Sequence, residues 1–234
     1  MPRPSGGHID YFGDPSDSRM VILVGRDDFP RDELLLTGLI DLLRDEGWSV
    51  GHWFSRHEET RRLTMPPFVL SWPRPARALI IGPLLLLHPS RWQYFIPGNW
   101  ARAASVAARA DALLTTLQQV SHEEVFLVAR SAGARVATLI ADAAGVRGVI
   151  ALGYPFENPE EGPNPDRYLH LATLESRLLI LQGVNDEYGG RGAAEAYPLA
   201  AASRLEFLDT DHNMRMDQIS WQKIRELMVD FLDG

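Results

Sequence analysis

Apolar residues in this chain fall into short runs separated by longer segments with helical spacing. Met20–Val24 (MVILV), Val125–Ala129, Val146–Leu152 and Leu178–Leu181 are nearly continuous apolar runs. That is the pattern of strands buried on both faces, rather than the alternation of a half-exposed sheet. Trp48–Phe54 and Leu205–Leu208 read as two further strands. Between them lie helical patterns. Asp32–Glu46 puts Leu35, Leu36, Leu39, Leu42 and Leu43 on one face, with Gly47 as a stop. Asn99 to about Gln119 is Ala-rich, and Ala132–Ala144 and Ala193–Ala201 follow. About Met216 to Leu232 spaces Ile224, Leu227, Met228 and Phe231 as one helical face. Strands alternating with helices predict an α/β fold, with a mostly parallel, doubly wound sheet and helices on both faces. In such sheets ligands bind outside the carboxyl ends of the strands, so residues just after strands carry the functional weight.

Two stretches resist this pattern. Ser55 to about Pro97 is broken by Pro66-Pro67, Pro73, Pro75, Gly82-Pro83 and Pro89, and carries Trp72, Trp92, Tyr94 and Phe95. It reads as an irregular, aromatic-rich insertion at 55–97, either a lid or a packed connection over a sheet edge. The loop Pro155–Asp166 is rich in Pro, Glu and Asn. At the start of the chain, Ser5-Gly6-Gly7 reads as a flexible terminus. No internal repeat or low-complexity tract emerges.

Composition narrows the function classes. The 234 residues, 45% hydrophobic and 23% charged, suit one domain over 1–234 better than two small ones. A net charge of −8 argues against nucleic acid as a partner, which calls for a basic patch. There is no cysteine, so disulfides, thiolate nucleophiles and cysteine-bound metals are excluded. The first residues lack an apolar signal core, and the run Ala78–Leu87 is interrupted by Gly82-Pro83, far short of the roughly 20 residues of a membrane helix. A cytoplasmic protein with no membrane partner is expected. No Gly-x-Gly-x-x-Gly follows a strand, and the seven histidines lack ligand spacing, so neither cofactor nor metal is expected. The chain leaves room for a homodimer.

The chemistry concentrates where the strand Val125–Ala129 turns into the helix from Ala132. The five residues Ala129-Arg130-Ser131-Ala132-Gly133 approximate Gly-x-Ser-x-Gly, an elbow that lifts a serine hydroxyl above the sheet. Serine is also a favoured helix N-cap, which is the plainer explanation of Ser131. Asp186, in LLILQGVNDEYGG, and His212, in LEFLDTDHNMR, each follow a later strand. Ser, Asp, His is the chain order of α/β-hydrolase triads. An imidazole, with a reference pKa of about 6.5, can take a serine proton near neutral pH, and a carboxylate on its other nitrogen fixes the tautomer. Glu187 is the stronger rival acid. Asp209 and Asp211 lie too near His212 in the chain and read as loop solvation. The expected oxyanion donors are the N–H of Ala132 and a group from the loop at Gly25 or Arg26. Arg26 could instead hold a substrate carboxylate or be a solvated loop arginine. Tyr154, Phe156 and Tyr188 are candidates for lining the site, the alternative being that the rings of Tyr154 and Phe156 pack beneath the Pro155 turn.

ARSAGARVA, VIALGYPFENPEEGPNPDRYLHL, LLILQGVNDEYGG and DHNM together resemble a branch of α/β-hydrolases similar to dienelactone hydrolases. That branch also includes a subunit of the animal non-specific-lethal chromatin complex. The resemblance covers about Val125 to Met214 and implies Ser131, Asp186 and His212 as a triad. Dienelactone hydrolases themselves use a cysteine, which this chain lacks. Three functions are open. The first is a serine hydrolase acting on an ester, lactone, thioester or activated amide of a small-molecule substrate. The second is a non-catalytic binding or scaffold module. The third is a lyase or cyclase using His212 as base.

Overall fold

The computed structural model describes residues 6–14, 17–25, 29–64, 99–215 and 217–234, with positions 72, 73, 76, 79, 82, 83, 86, 87, 89, 91 and 92 between. The apolar runs become the strands β2 (Arg19–Val24), β3 (Ser49–Phe54), β4 (Glu124–Arg130) and β5 (Gly148–Leu152), followed beyond a short hairpin (β6, Glu157–Asn158; β7, Gly162–Pro163) by β8 (Arg177–Gly183) and β9 (Ser203–Leu208). With β1 (His8–Phe12) they form a seven-stranded sheet in the order β1-β3-β2-β4-β5-β8-β9, parallel except for β1 against β3.

Successive residues of each strand point to opposite faces, and both faces are covered. Met20, Ile22, Val24, Leu127, Ala129, Val149 and Ile180 pack with α4 (Val106–Leu117) and α5 (Ala132–Ala144). Val21, Leu23, Phe126, Val128, Ile150, Leu179 and Leu181 pack with α1 (Phe29–Asp45) and α7 (Gln218–Asp233). Burial on both faces explains why the strands read as continuous apolar runs.

Local chemistry moves several expected boundaries. The Ala-rich segment divides into α3 (Asn99–Ala103) and α4, because Ser105 leaves the helix and accepts the Ala108 N–H as N-cap. The helix expected at Ala193–Ala201 is α6 (Arg191–Ala196); Tyr197 precedes Pro198 and is extended, as a residue before proline prefers. The start of the 55–97 insertion is a regular helix, α2 (Arg56–Thr64). Its signal is a capping box: Ser55 Oγ accepts the Glu58 N–H, and Glu58 Oε2 accepts the Ser55 N–H at 2.7 Å. Most of the remaining insertion, and with it any lid, lies outside the described residues.

Gly6-Gly7 is not a loose tail. The Gly7 N–H donates to Thr116 Oγ1 at 2.7 Å, and a Cβ on Gly7 would fall 2.2 Å from the Phe54 carbonyl oxygen. The glycine is needed for that close approach, and it leads directly into the unanticipated edge strand β1.

From β2 the chain crosses to β3 on one side and then returns to β4 on the other. The carboxyl ends of β2 and β4 therefore border the point where the winding reverses, the place where such sheets open a crevice.

Candidate active site

Val24 pairs with Ala129, so the next residues, Gly25 after β2 and Arg130 before the elbow, stand side by side at this crevice. Ser131 then turns the chain into α5 with φ 51 and ψ −118, a left-handed conformation that costs a non-glycine residue about 1 kcal/mol or more. Its hydroxyl makes no capping bond to α5, which removes the helix-cap explanation. Instead Ser131 Oγ lies 2.9 Å from His212 Nε2. His212 Nδ1 lies 2.9 Å from both carboxylate oxygens of Asp186. With the proton on Nδ1 donated to Asp186, Nε2 is left as the acceptor for the serine hydroxyl. Ser131, Asp186 and His212 are all buried.

The elbow fits because residue 133 is glycine. A Cβ there would lie 2.3 Å from the Val24 oxygen and 2.7 Å from that of Gly25. The start of α5 thus presses against the turn after β2. Ala132 is the first residue of α5, where backbone N–H groups lack intrahelical partners. Gly25 lies on the opposite side of this contact, and its carbonyl accepts from Arg109 Nη2 at 2.7 Å. Arg26 lies outside the described residues.

Asp186 is oriented from two sides. Its Oδ1 accepts the Tyr188 N–H at 2.8 Å, and its Oδ2 accepts from Gln182 Nε2 at 2.9 Å. Gln182 is fully buried; it also donates to the Gly189 carbonyl and accepts the Tyr154 N–H. Glu187 is exposed, so the competition between the two neighbouring acids is decided by direction of the side chain. Asp209 is exposed as well, while Asp211 accepts the Asn213 N–H and ties the turn that carries His212.

The three aromatic candidates separate. The Tyr188 ring is half-buried and lies 4.3 Å from the His212 ring, centroid to centroid. Tyr154 and Phe156 do not line an open site: both are wholly buried in the core. The Tyr154 hydroxyl donates to the Arg167 carbonyl, and burial pushes its pKa up. The Phe156 ring stacks on Tyr197. The physical reason is that the chain after Gly153, at φ +62, turns back under the loop, and large apolar rings gain most by complete burial.

Several buried polar residues around Ser131, Asp186 and His212 were given no role by the sequence reading. Gln182 had a signal, a lone amide inside the apolar run LLILQG, since a polar group in a core strand needs partners. Arg130 is 1% exposed and donates to the carbonyls of Leu152 and His212. Arg109, equally buried, joins Gly25 to the Glu58 carboxylate at 3.0 Å. The signal for Arg109 was a charge on the apolar face of an Ala-rich helix.

An alpha/beta hydrolase domain family matches residues 101–232, which include every residue of the Ser131–Asp186–His212 arrangement. No curated protein matches the chain. Solved structures do. Est1E from Butyrivibrio proteoclasticus with bound ferulic acid is 10% identical, with 99% of this chain and 98% of that chain covered at a TM-score of 0.62. Olei00960, a hydrolase from Oleispira antarctica, is 12% identical over 100% and 97% at 0.61. MGS-MChE2, an alpha/beta hydrolase enzyme from the metagenome of lagoon sediments of Mar Chica, Morocco, is 13% identical over 96% and 94% at 0.60. At these identities the likeness is one of fold. Among the described residues no helix is long and apolar enough to cross a membrane.

Proposed function

Since the chain belongs to the alpha/beta hydrolase domain family, we propose that it is a serine hydrolase acting on an ester, lactone, thioester or activated amide of a small molecule. The observation that carries this reading is the continuous line Ser131 Oγ, His212 Nε2, His212 Nδ1, Asp186, each contact at 2.9 Å, on a strained elbow at the sheet's carboxyl edge. Its Gly153-Tyr154-Pro155-Phe156 and Gln182–Gly189 segments favour the branch similar to dienelactone hydrolases.

In this proposal Ser131 Oγ attacks the substrate carbonyl carbon as His212 Nε2 takes its proton. The carbonyl oxygen becomes an oxyanion, received by the N–H of Ala132 and a donor from the turn at Gly25. His212 returns the proton to the leaving oxygen, sulfur or nitrogen as the acyl bond breaks, leaving an acyl-serine. Water, deprotonated by His212, attacks that ester. The carboxylic acid departs and Ser131 recovers its proton. Asp186 stays ionised throughout and stabilises the imidazolium.

A fluorophosphonate probe should label the folded protein on Ser131, and Ser131→Ala should abolish the labelling. Turnover in heavy-oxygen water should place the label in the acid product. Folded protein that stays unreactive toward the probe would refute the proposal, and product without the label would point to the lyase or cyclase chemistry instead.

A further inference from the structure

Arg130 occupies the position before the nucleophile, at the last residue of β4. It cannot touch a substrate, being 1% exposed. Burying a guanidinium costs several kcal/mol unless its donors are matched, so such a residue calls for a reason. Its partners supply one. Nη1 donates at 3.2 Å to the carbonyl of Leu152, the last residue of the neighbouring strand β5, while Nη2 donates to the carbonyl of His212 itself. The first bond anchors the planar fork to the sheet. The second fixes the backbone from which the imidazole projects.

The loop bearing His212 packs against the end of β8: the Asn185 N–H donates to the Thr210 carbonyl at 3.1 Å, and Gly183 lies close beneath Thr210 and Asp211. The loop runs from the end of β9 to α7 through local ties: Thr210 N–H to Leu208, Met214 N–H to Asp211, and Asn213 N–H to the Asp211 carboxylate. Met214 sits at φ 52. These contacts shape the turn and set it against β8, but none of those backbone ties reaches β4 or α5, which set the place of Ser131. Arg130 links the two directly, since it precedes Ser131 in the chain and holds His212 by its carbonyl.

A second observation bears on Asp186. At Gly153 a Cβ would lie 2.8 Å from Arg130 Nη1 and 3.4 Å from Asp186 Oδ2. The guanidinium and the carboxylate therefore both border the space that a side chain at residue 153 would fill.

We infer that Arg130 is a positioning residue, holding the His212 loop and the Asp186 carboxylate in register with Ser131. The inference rests on the serine-hydrolase reading. It assigns a function to a side chain that no substrate meets, so its loss should act on the chemical step and leave binding alone.

The test uses the fluorophosphonate reaction, resolved into a maximal labelling rate and a half-saturating probe concentration. Arg130→Met should lower the maximal rate by about 100-fold, as a displacement near 1 Å does, with half-saturation within about twofold. Arg130→Lys keeps the charge but cannot bond two carbonyls as a planar fork, and should recover part of the rate. Gly153→Ala keeps Arg130 but crowds its Nη1, and should also lower the maximal rate alone. If Arg130→Met does not fold, the other two variants decide the matter. A reactive wild-type protein whose folded Arg130 variants label at the wild-type maximal rate overturns this inference and leaves the hydrolase reading intact. So does a loss confined to half-saturation. An unreactive wild-type protein overturns both.

Discussion

Gly183 ends β8, and a Cβ on it would lie 2.5 Å from the Thr210 carbonyl oxygen and 3.0 Å from that of Asp211. Ordinary van der Waals contact begins near 3.4 Å, so Gly183→Ala requires a separation of about 1 Å. The strand will not supply it. β8 is paired on both sides, Leu181 with Leu152 and Gly183 with Leu208. The movement falls on the loop from Asp209 to Met214, and His212 is two residues from the clash. A contact of 2.9 Å opened by about that distance is no longer a hydrogen bond. The bond from the Asn185 N–H to Thr210, at 3.1 Å, weakens with it. We expect Gly183→Ala to lower the rate of fluorophosphonate labelling about 100-fold. The crowding should cost about 1–3 kcal/mol in urea unfolding. Gly192→Ala is the control: nothing lies within 4 Å of its added Cβ, so labelling should match wild type. A Gly183→Ala protein that labels within threefold of wild type at unchanged stability would refute the idea that close approach at this residue sets the height of His212.

Two further outcomes follow. Gln182→Leu leaves the Tyr154 N–H and the Gly189 carbonyl without their side-chain partner inside the protein, and leaves Asp186 Oδ2 with His212 alone. At about 1–3 kcal/mol for a buried group left unmatched, urea unfolding should show a loss of about 3 kcal/mol, with labelling slowed about tenfold; an unchanged midpoint would contradict this. His52, 3% exposed beside Gly25, has its pKa pushed down to about 3 by burial and then by Arg62, so it stays neutral in the folded chain. The unfolded chain takes up that proton below about pH 6.5, so this contribution is complete above that pH and is lost as pH falls toward 3, at up to about 1.4 kcal/mol per unit. Between pH 6 and 4 the wild type should lose about 2–3 kcal/mol more than His52→Gln, and parallel losses would sink the assignment.

The strands were legible because each is buried on both faces, which turns burial into an unbroken apolar run such as MVILV or GVIAL. The candidate site residues were legible for a related reason. A parallel sheet places its chemistry just after its strands, so Ser131, Asp186 and His212 could be found by position as well as type. What stayed hidden was set by contacts between distant segments. β1 is an edge strand whose inward residue is Ile9, while His8, Asp10 and Tyr11 are exposed, too short and polar a pattern to separate from a tail. Tyr154 and Phe156 follow a strand as a site residue does, and only the fold of the next twenty or so residues turns them inward. Arg130 looks like any surface charge until the carbonyls it holds are known.

Those hidden contacts share a purpose with the glycines. Three side chains from three loops can meet only if their backbones approach more closely than a Cβ allows. Gly133 admits α5 against the turn after β2, Gly183 admits the His212 loop against β8, and Gly153 leaves the space between Arg130 and Asp186. Close approach of this kind buries carbonyl oxygens together, and those oxygens need donors. The buried arginines and Gln182 meet that need: Arg109 takes Gly25, Arg130 takes His212 and Leu152, and Gln182 takes Gly189. Glycine supplies the clearance and a buried donor fixes the resulting geometry. Neither alone would suffice, because clearance without a donor leaves carbonyls unmatched and a donor without clearance cannot reach them.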